Sequence, residues 1–307
     1  MTALSTGTPM LAVLDDAIQR EKVETFAAQG QVRPPETKIA VVTGGTRGVG
    51  REIVRGLCAT GGYRVLVLGR DSQAGGDVCA GDATGNCEFL HCDLSSLAAV
   101  YSCGEQIQRT CARVHLLVNC AGIVGPAERT ETVEGNEVTL ATNVLGPHLL
   151  TTLLLEQLEA DWDHQPGRVI NVVCEFMGGL DIGLLQLSGP NYYSARRAYR
   201  ASKQAICLLS WALDRRLRER FSNITVNTYT PGPCDTAHLV AMGALRVTGK
   251  AVIGTRLPPS VGAETALALA ETNNGRAIVS GYHWRGPGEK RVLPAEMRDA
   301  PMGERLW

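Results

Sequence analysis

The sequence predicts an α/β fold in which a doubly wound parallel sheet of seven strands is flanked by helices. Short apolar runs alternate along the chain with segments of helical periodicity, which is typical of parallel strands buried on both faces. The 34 glycines, against only 5% aromatic residues, suit tight turns between strands and helices. Right-handed crossovers then place the helices on both sides of the sheet.

The seven predicted strands are short apolar runs, at residues 39–42, 63–68, 87–91, 115–119, 168–174, 225–228 and 277–280. Helices are predicted between them, at residues 48–58, 95–109, 134–158, 199–221 and 260–271. Prolines bracket a stretch of roughly 25 residues after the sixth strand, a length typical of a lid or binding loop.

Composition argues against several classes of partner. Thirty basic and 31 acidic residues provide no electrostatic footprint for nucleic acid or an anionic membrane. The ten cysteines form no C-x-x-C pair and have no histidine at metal-ligand spacing, so no metal site is expected. No apolar run approaches the ~20 residues that span a bilayer, and the N-terminus lacks a signal-peptide pattern. We therefore expect no transmembrane segment and a cytoplasmic location.

Glycines at positions 44, 48 and 50 follow the first predicted strand and open a helix, in the segment TGGTRGVG at residues 43–50. The first permits a tight turn, the second lets the backbone approach a pyrophosphate, and the third allows close helix packing. The helix N-terminus presents N–H groups and a positive dipole end to phosphates. This context predicts the dinucleotide site of a Rossmann-type fold, with cofactor contacts from Gly44, Thr46, Arg47, Gly48, Val49 and Gly50.

Domain organisation follows from the position of this motif. Residues 38–307 are predicted to form a single Rossmann-fold domain, since their length suits one large core. Residues 1–37 form an N-terminal extension, in which apolar positions recur at helical spacing and indicate one amphipathic helix.

The end of the second strand bears on the choice between NAD(H) and NADP(H). An NAD-specific site places a carboxylate there for the ribose 2′-OH, roughly 20 residues beyond the glycines. This chain has Arg70, which with Arg47 can form a planar fork around a 2′-phosphate. NADP(H) is therefore favoured. Asp71 remains an alternative acceptor of the NAD type, in which case both arginines only face solvent.

Tyr199 and Lys203 are the candidate catalytic pair. They are four residues apart in a predicted helix, so both side chains lie on one face. A phenol with a reference pKa of about 10 is a poor acid or base near neutrality. A nearby ammonium and a positively charged nicotinamide are expected to lower that pKa, so that Tyr199 can transfer a proton while hydride moves at the cofactor.

Together these motifs resemble the short-chain dehydrogenase/reductase family over nearly all of residues 38–307. Within the family, the run LATNVLGPHLLTTLLLEQL and the ending SGYHWRGPG resemble the retinol dehydrogenase and WW-domain oxidoreductase branch. The resemblance implies that Asn143 holds a water linking Lys203 to solvent. It also implies further cofactor contacts, from Asp93, Leu94, Asn119, Ala121, Gly122, Tyr199, Lys203, Pro231, Gly232 and Thr236.

One position departs from the family pattern. The family places a serine at the end of the fifth strand, where it hydrogen-bonds the substrate carbonyl, and Cys174 aligns with it. A thiol is a weak donor, and a missing oxyanion donor costs roughly 10²–10³ in rate. Three outcomes are open. Cys174 donates weakly to the substrate, Ser188 or Ser194 replaces it as the donor, or Cys174 only packs and catalysis has been lost. The last outcome makes the chain a low-turnover NADP(H)-binding sensor or interaction protein.

The resemblance also indicates the substrate and the assembly. Residues 175–197 are rich in apolar side chains and are expected to form one wall of a pocket for a lipophilic aldehyde, ketone or alcohol. Family members pair through helices that correspond to residues 134–158 and 199–221, so a homodimer or homotetramer is implied. His148 and His283 are interpreted as packing or surface residues rather than bases.

Overall fold

A computed structural model of the chain describes residues 37–159, 165–174, 193–220, 222–236, 256–271, 279–295 and 298–306. One sheet runs through them in the order β3-β2-β1-β4-β5-β6-β7-β8. The first seven strands are parallel and β8 is antiparallel to β7. The strands are β1 (Lys38–Thr43), β2 (Tyr63–Gly69), β3 (Cys87–His91), β4 (Leu116–Asn119), β5 (Arg168–Val172), β6 (Thr225–Tyr229), β7 (Tyr282–Trp284) and β8 (Lys290–Val292).

The helices of the described residues occupy both faces of this sheet. They are α1 (Gly48–Ala59), α2 (Ser72–Ala80), α3 (Leu97–Thr110), α4 (Val138–Leu140), α5 (Gly146–Leu153), α6 (Leu155–Glu159), α7 (Ala195–Glu219), α8 (Pro259–Ala270) and α9 (Ala300–Leu306), and a π-helical turn (Ala141–Leu145) joins α4 to α5. The predicted fold class, a doubly wound α/β sheet, is confirmed. None of these helices is both long enough and apolar enough to span a membrane.

Two apolar clusters form the core, one on each face. Successive side chains of a strand point to opposite faces, and β1 follows this rule, since Val41 lies in one cluster and Ala40 and Val42 lie in the other. Helices α3, α5 and α7 cover the first cluster, and α1 and α8 cover the second. A core on both faces explains why the strands read as continuous apolar runs.

The seventh strand was predicted in the wrong place, and the eighth was not predicted. Of residues 277–280, the described residues 279–280 are not in a strand, and β7 begins at Tyr282. The Ser280 hydroxyl accepts a bond from the Val226 N–H, and Gly281 turns the chain with φ +81°. The β6–β7 ladder therefore starts only after Gly281. Strand β8 is exposed along its length, so it carries no apolar pattern.

The long helices also differ from their predicted bounds. The helix predicted at residues 134–158 is divided into α4, the π-helical turn, α5 and α6. The helix predicted at 199–221 begins earlier, because the Ser194 hydroxyl caps it by accepting a bond from the Arg197 N–H. Helices α2 and α9 were not predicted. The predicted N-terminal helix and most of the long loop after β6 lie outside the described residues.

Candidate active site

The predicted site residues gather at the carboxyl ends of the strands, around β1. Strand order reverses there, because β2 and β3 lie on one side of β1 while β4 and β5 lie on the other. Ligands of open α/β sheets bind in the crevice at such a switch point. The Gly-rich turn follows β1, and the helix that carries Tyr199 packs on β6 and hydrogen-bonds to β5.

The Gly-rich turn needs its glycines for close backbone approaches. Gly44 has φ +68°, and a Cβ on it would lie 2.7 Å from Cα of Ala121. A Cβ on Gly50 would lie 2.3 Å from the carbonyl oxygen of Gly44, so Gly50 packs the helix against its own turn. Gly48 has φ +56°, and its Cβ position lies 3.2 Å from Cγ2 of Thr236. The turn is therefore tightly closed, with a bare backbone facing Thr236.

The first turn of α1 fits a pyrophosphate. Arg47 is the N-cap and supplies no side-chain acceptor, so the first amides of α1 are available to an anion. Val49 can contribute only its amide, because its side chain lies in the core. Thr236 lies opposite on the segment that starts at Pro231 and Gly232, where Gly232 has φ +77°. The residues present therefore suit the dinucleotide that the motif predicts.

The two arginines predicted to read a 2′-phosphate lie on neighbouring loops. A Cβ on Gly69, at the end of β2, would lie 3.0 Å from Cγ2 of Thr46, so the end of β2 adjoins the Gly-rich turn. Arg47 and Arg70 are exposed, and neither makes an ion pair with a residue in the described ranges. Asp71, the alternative acceptor, caps α2 by accepting a bond from the Ala74 N–H at 3.0 Å.

Two of the implied cofactor residues have their side chains engaged within the protein. Asn119 donates to Oγ1 of Thr151 at 3.1 Å and to Oδ1 of Asn171 at 2.8 Å, inside the core. Asp93 accepts bonds from the backbone and hydroxyl of Ser95. These contacts occupy the amide nitrogen of Asn119, while its Oδ1 is buried and has no hydrogen-bond partner, and Leu94 is also buried.

A threonine that sequence reasoning missed holds the segment after β4. The Thr43 hydroxyl accepts bonds from the N–H groups of Cys120 and Ala121, both at 3.1 Å. The next residue, Gly122, has a Cβ position 3.3 Å from Nζ of Lys203 and 3.5 Å from Oδ1 of Asn143. The position of Thr43 in the glycine motif could have suggested a role at the site. Its partners could not be predicted, because Cys120 and Ala121 are distant from it in sequence.

Tyr199 and Lys203 lie on one face of α7, as their spacing predicted. The Lys203 ammonium donates to the Val172 carbonyl at 2.9 Å and lies 5.8 Å from the centre of the Tyr199 ring. Tyr199 hydrogen-bonds to the thiol of Cys174, which follows β5. The structure therefore places Cys174 at the tyrosine, where its alignment with the family serine predicted it.

The pKa of Tyr199 is raised, not lowered as expected. Burial is the main cause. An electrostatic interaction with Cys174 and a hydrogen bond with its side chain raise this pKa further. Burial also lowers the pKa of Lys203. The expected decrease assumed that charge from the ammonium and the nicotinamide would dominate. The loss of hydration on burial instead dominates the pKa of the phenol.

Asn143 lies in the π-helical turn and is fully buried. Its side chain accepts a bond from the Ile123 N–H at 2.8 Å, donates to the Ile123 carbonyl at 3.0 Å, and donates to the Ser202 hydroxyl at 2.9 Å. Asn143 thus ties the segment after β4 to α7, beside Lys203. Sequence reasoning predicted Asn143 but not its partners Ile123 and Ser202.

Two serines were alternatives to Cys174 as the substrate donor. Ser194 caps α7, with its hydroxyl oxygen 3.2 Å from the Arg197 N–H. Ser188 lies outside the described residues, as does most of the apolar segment predicted to line the pocket. His148 and His283 are buried, and His283 contacts the hydroxyls of Thr228 and Thr230. Within the described ranges, no group of three His, Cys, Asp or Glu side chains is placed to hold a metal.

Comparison with known proteins agrees with this geometry. The family model for short chain dehydrogenases matches residues 38–244. Mouse polyprenol dehydrogenase is 34% identical over 293 residues, which cover 91% of this chain and 86% of that protein. Human retinol dehydrogenase 11 is 31% identical over 277 residues, which cover 88% of this chain and 83% of that protein. The predicted likeness to the retinol dehydrogenase branch is confirmed.

Solved structures show the same fold. A Mycobacterium paratuberculosis protein described as putative and uncharacterized has a TM-score of 0.68 at 25% identity, over 88% of this chain and 90% of that one. The Pseudomonas aeruginosa RhlG/NADP active-site complex has a TM-score of 0.59 at 27% identity, over 82% of this chain and 95% of that one. This fold binds a nicotinamide cofactor. The chain therefore belongs to the short-chain dehydrogenase/reductase family of oxidoreductases.

Proposed function

We propose that this chain is an NADP(H)-dependent oxidoreductase acting on a lipophilic aldehyde, ketone or alcohol. The observation that carries the proposal is the contact of Tyr199 with Cys174 above the buried ammonium of Lys203. This group lies in the same crevice as the uncapped first turn of α1. A proton-transfer residue and a dinucleotide cradle are thus combined at one switch point.

Bound NADP(H) supplies or accepts the hydride. Tyr199 is placed to give a proton to the carbonyl oxygen during reduction, and to take it from the alcohol during oxidation. Lys203, held by the Val172 carbonyl, puts a positive charge near the phenol and favours its ionised form. Cys174 is the hydrogen-bond donor toward the substrate oxygen, weaker than the family serine.

Two observations support the choice of cofactor and substrate. Arg47 and Arg70 are exposed on adjoining loops, while the Asp71 carboxylate is engaged as a helix cap. This arrangement favours a 2′-phosphate over a free 2′-OH. The names of two relatives, polyprenol dehydrogenase and retinol dehydrogenase 11, indicate that those proteins act on lipophilic alcohols. The scattered free cysteines favour a reducing compartment such as the cytoplasm.

The test is NADPH oxidation by the purified chain against a panel of aldehydes and ketones, retinal included, with retinol and polyprenol plus NADP⁺ for the reverse direction. Tyr199→Phe is the matched control, since it removes only the hydroxyl. We expect turnover that Tyr199→Phe lowers by roughly 10²–10⁴-fold while NADPH binding persists. If both proteins bind NADPH and are equally inert on every substrate, the proposal fails and the sensor hypothesis stands.

A further inference from the structure

Three thiols meet at the edge of the sheet that faces away from the crevice. Cys87 opens β3, Cys79 lies in the last turn of α2, and Cys58 lies in the last turn of α1. The sulfur atoms of Cys79 and Cys87 are 2.8 Å apart. Cys87 also packs against the apolar cluster that contains Cys58, so a third thiol lies close to the pair.

The local structure fixes Cys79 and Cys87 opposite each other. Helix α2 packs directly on β3, because a Cβ on Gly75 would lie 2.1 Å from Cδ2 of Phe89. The connection between them is held by Asp82, whose carboxylate accepts bonds from the N–H groups of Thr84 and Asn86. The two sulfur atoms are therefore kept in contact by the fold around them.

This arrangement suits a disulfide better than a metal. A disulfide has an S–S distance of about 2.05 Å, so the sulfur atoms need to approach by only about 0.8 Å. In the part of the chain that the structure describes, no group of His, Cys, Asp and Glu side chains has metal-binding geometry, and these thiols are no exception. Cys79 and Cys87 are partly exposed, whereas Cys58 is only 3% exposed. An external oxidant therefore meets Cys79 and Cys87 first.

We propose that Cys79 and Cys87 are a dithiol/disulfide modification site, with Cys58 as a third thiol that can exchange into it. The oxidant is a low-molecular-weight disulfide, RSSR. The Cys79 thiolate attacks RSSR, forms a mixed disulfide and releases RS⁻. The Cys87 thiolate then attacks the sulfur of Cys79, forms the Cys79–Cys87 bond and releases a second RS⁻. Two protein thiols are oxidised, and one RSSR is reduced to two RSH.

Cys58 adds an exchange step that consumes no further oxidant. Its thiolate can attack the sulfur of Cys87, forming a Cys58–Cys87 bond and releasing Cys79 as thiolate. Burial raises the pKa of Cys79, and the interaction with Cys58 raises the pKa of Cys87, so we expect the attack by these thiols to be faster at alkaline pH. Exchange would move the disulfide from the partly exposed position to the buried one.

The thiol site is separate from the proposed catalytic site. Cys87 starts β3 and pairs with Val65, whereas Arg70 follows the far end of β2. The five residues of β3 span about 16 Å. Oxidation at Cys79 and Cys87 can therefore be read without any assay of turnover, and its outcome does not depend on the proposed function.

The experiment equilibrates the folded chain in buffers of increasing oxidised-to-reduced glutathione ratio, blocks free thiols with N-ethylmaleimide, and maps disulfide-linked peptides by mass spectrometry. We expect a Cys79–Cys87 link in the wild type that dithiothreitol reverses, with a Cys58–Cys87 link as the exchange product. Cys87→Ser should stop at a glutathione adduct on Cys79. Cys111→Ser, whose thiol lies outside the cluster, should oxidise like wild type.

Wild type that stays folded by circular dichroism and forms no Cys79–Cys87 or Cys58–Cys87 link at any ratio would overturn the proposal. The absence of a glutathione adduct on Cys79 in the Cys87→Ser variant would also overturn the proposal. Should Cys87→Ser fail to fold, the wild-type peptide map decides alone, because it requires no variant.

Discussion

A thiol occupies the position beside Tyr199 that the family gives to a serine. This contact has two chemical consequences, because Cys174 is a weak donor toward a substrate oxygen and also raises the pKa of the phenol. Under the proposed function, both effects act against proton transfer by Tyr199. The position of Cys174 was predictable from its separation from Tyr199, but its effect on the pKa required knowledge of burial.

Cys174→Ser is predicted to raise the rate of alcohol oxidation and to move its pH profile to lower pH. A hydroxyl is a stronger donor, and the gain should be roughly tenfold or more. Oxidation requires the phenolate, so activity rises with pH up to the pKa of Tyr199, and removal of the thiol lowers that pKa. The measurement is kcat against pH, with Cys111→Ser as control. An unchanged rate and profile would refute the role of Cys174.

Arg70→Ala is predicted to weaken NADPH binding by roughly 10–100-fold while NADH binding stays the same. The guanidinium contributes charge-assisted bonds only to the 2′-phosphate. The control is Arg64→Ala, within the strand that precedes Arg70, where the arginine pairs with Glu88 instead. Isothermal titration with both cofactors measures the difference. An equal loss for NADPH and NADH would contradict the assignment.

At the scale of elements, the π-helical turn joins the two halves of the site. Within it, Asn143 bonds both backbone groups of Ile123 and the Ser202 hydroxyl, and so links the segment after β4 to α7. Spacing alone predicts a continuous helix at residues 134–158. The π-helical turn and the break after Leu153 depend on contacts with other elements, which the local pattern does not contain.

Asn143→Ala is predicted to lower the free energy of unfolding by about 2–4 kcal/mol, because it leaves partly buried backbone groups of Ile123 and the buried Ser202 hydroxyl without this partner. Thr142→Ala is the neighbouring control, since the Thr142 hydroxyl donates to the Val138 carbonyl, four residues earlier, and does not link distant segments. Chemical denaturation followed by circular dichroism compares the two variants. Equal stability of the two would show that the Asn143 network contributes little.

Strands with a clear apolar pattern were predicted correctly, and those held by polar contacts were not. Strands β1 and β2 lie at or within a residue of their predicted positions, because burial leaves an unambiguous run of valine and leucine. Strand β8 is charged and exposed. The start of β7 is set by Ser280 and Gly281, whose contacts with Val226 join residues far apart in sequence.

At the scale of the whole molecule, α9 covers part of the helix to which subunit contacts were predicted. The resemblance assigned subunit contacts to the helix at residues 199–221, with apolar side chains available for them. In the structure, Leu208, Leu209 and Leu213 lie in the core. Helix α9 packs against α7, with Leu306 buried and Gly303 close to Ala212. Part of α7 is therefore covered by the chain's own C-terminal helix.

Gly303→Leu is predicted to displace α9 and to increase self-association. A Cβ at Gly303 would lie 3.2 Å from Cβ of Ala212, so a larger side chain pushes the helices apart and exposes apolar surface. We expect a loss of about 1–3 kcal/mol in stability and a higher mass by light scattering. Gly288→Leu is the control, because its Cβ position has no atom within 4 Å. If Gly303→Leu matches this control in both stability and mass, α9 does not shield α7, and the helix remains available to a second subunit.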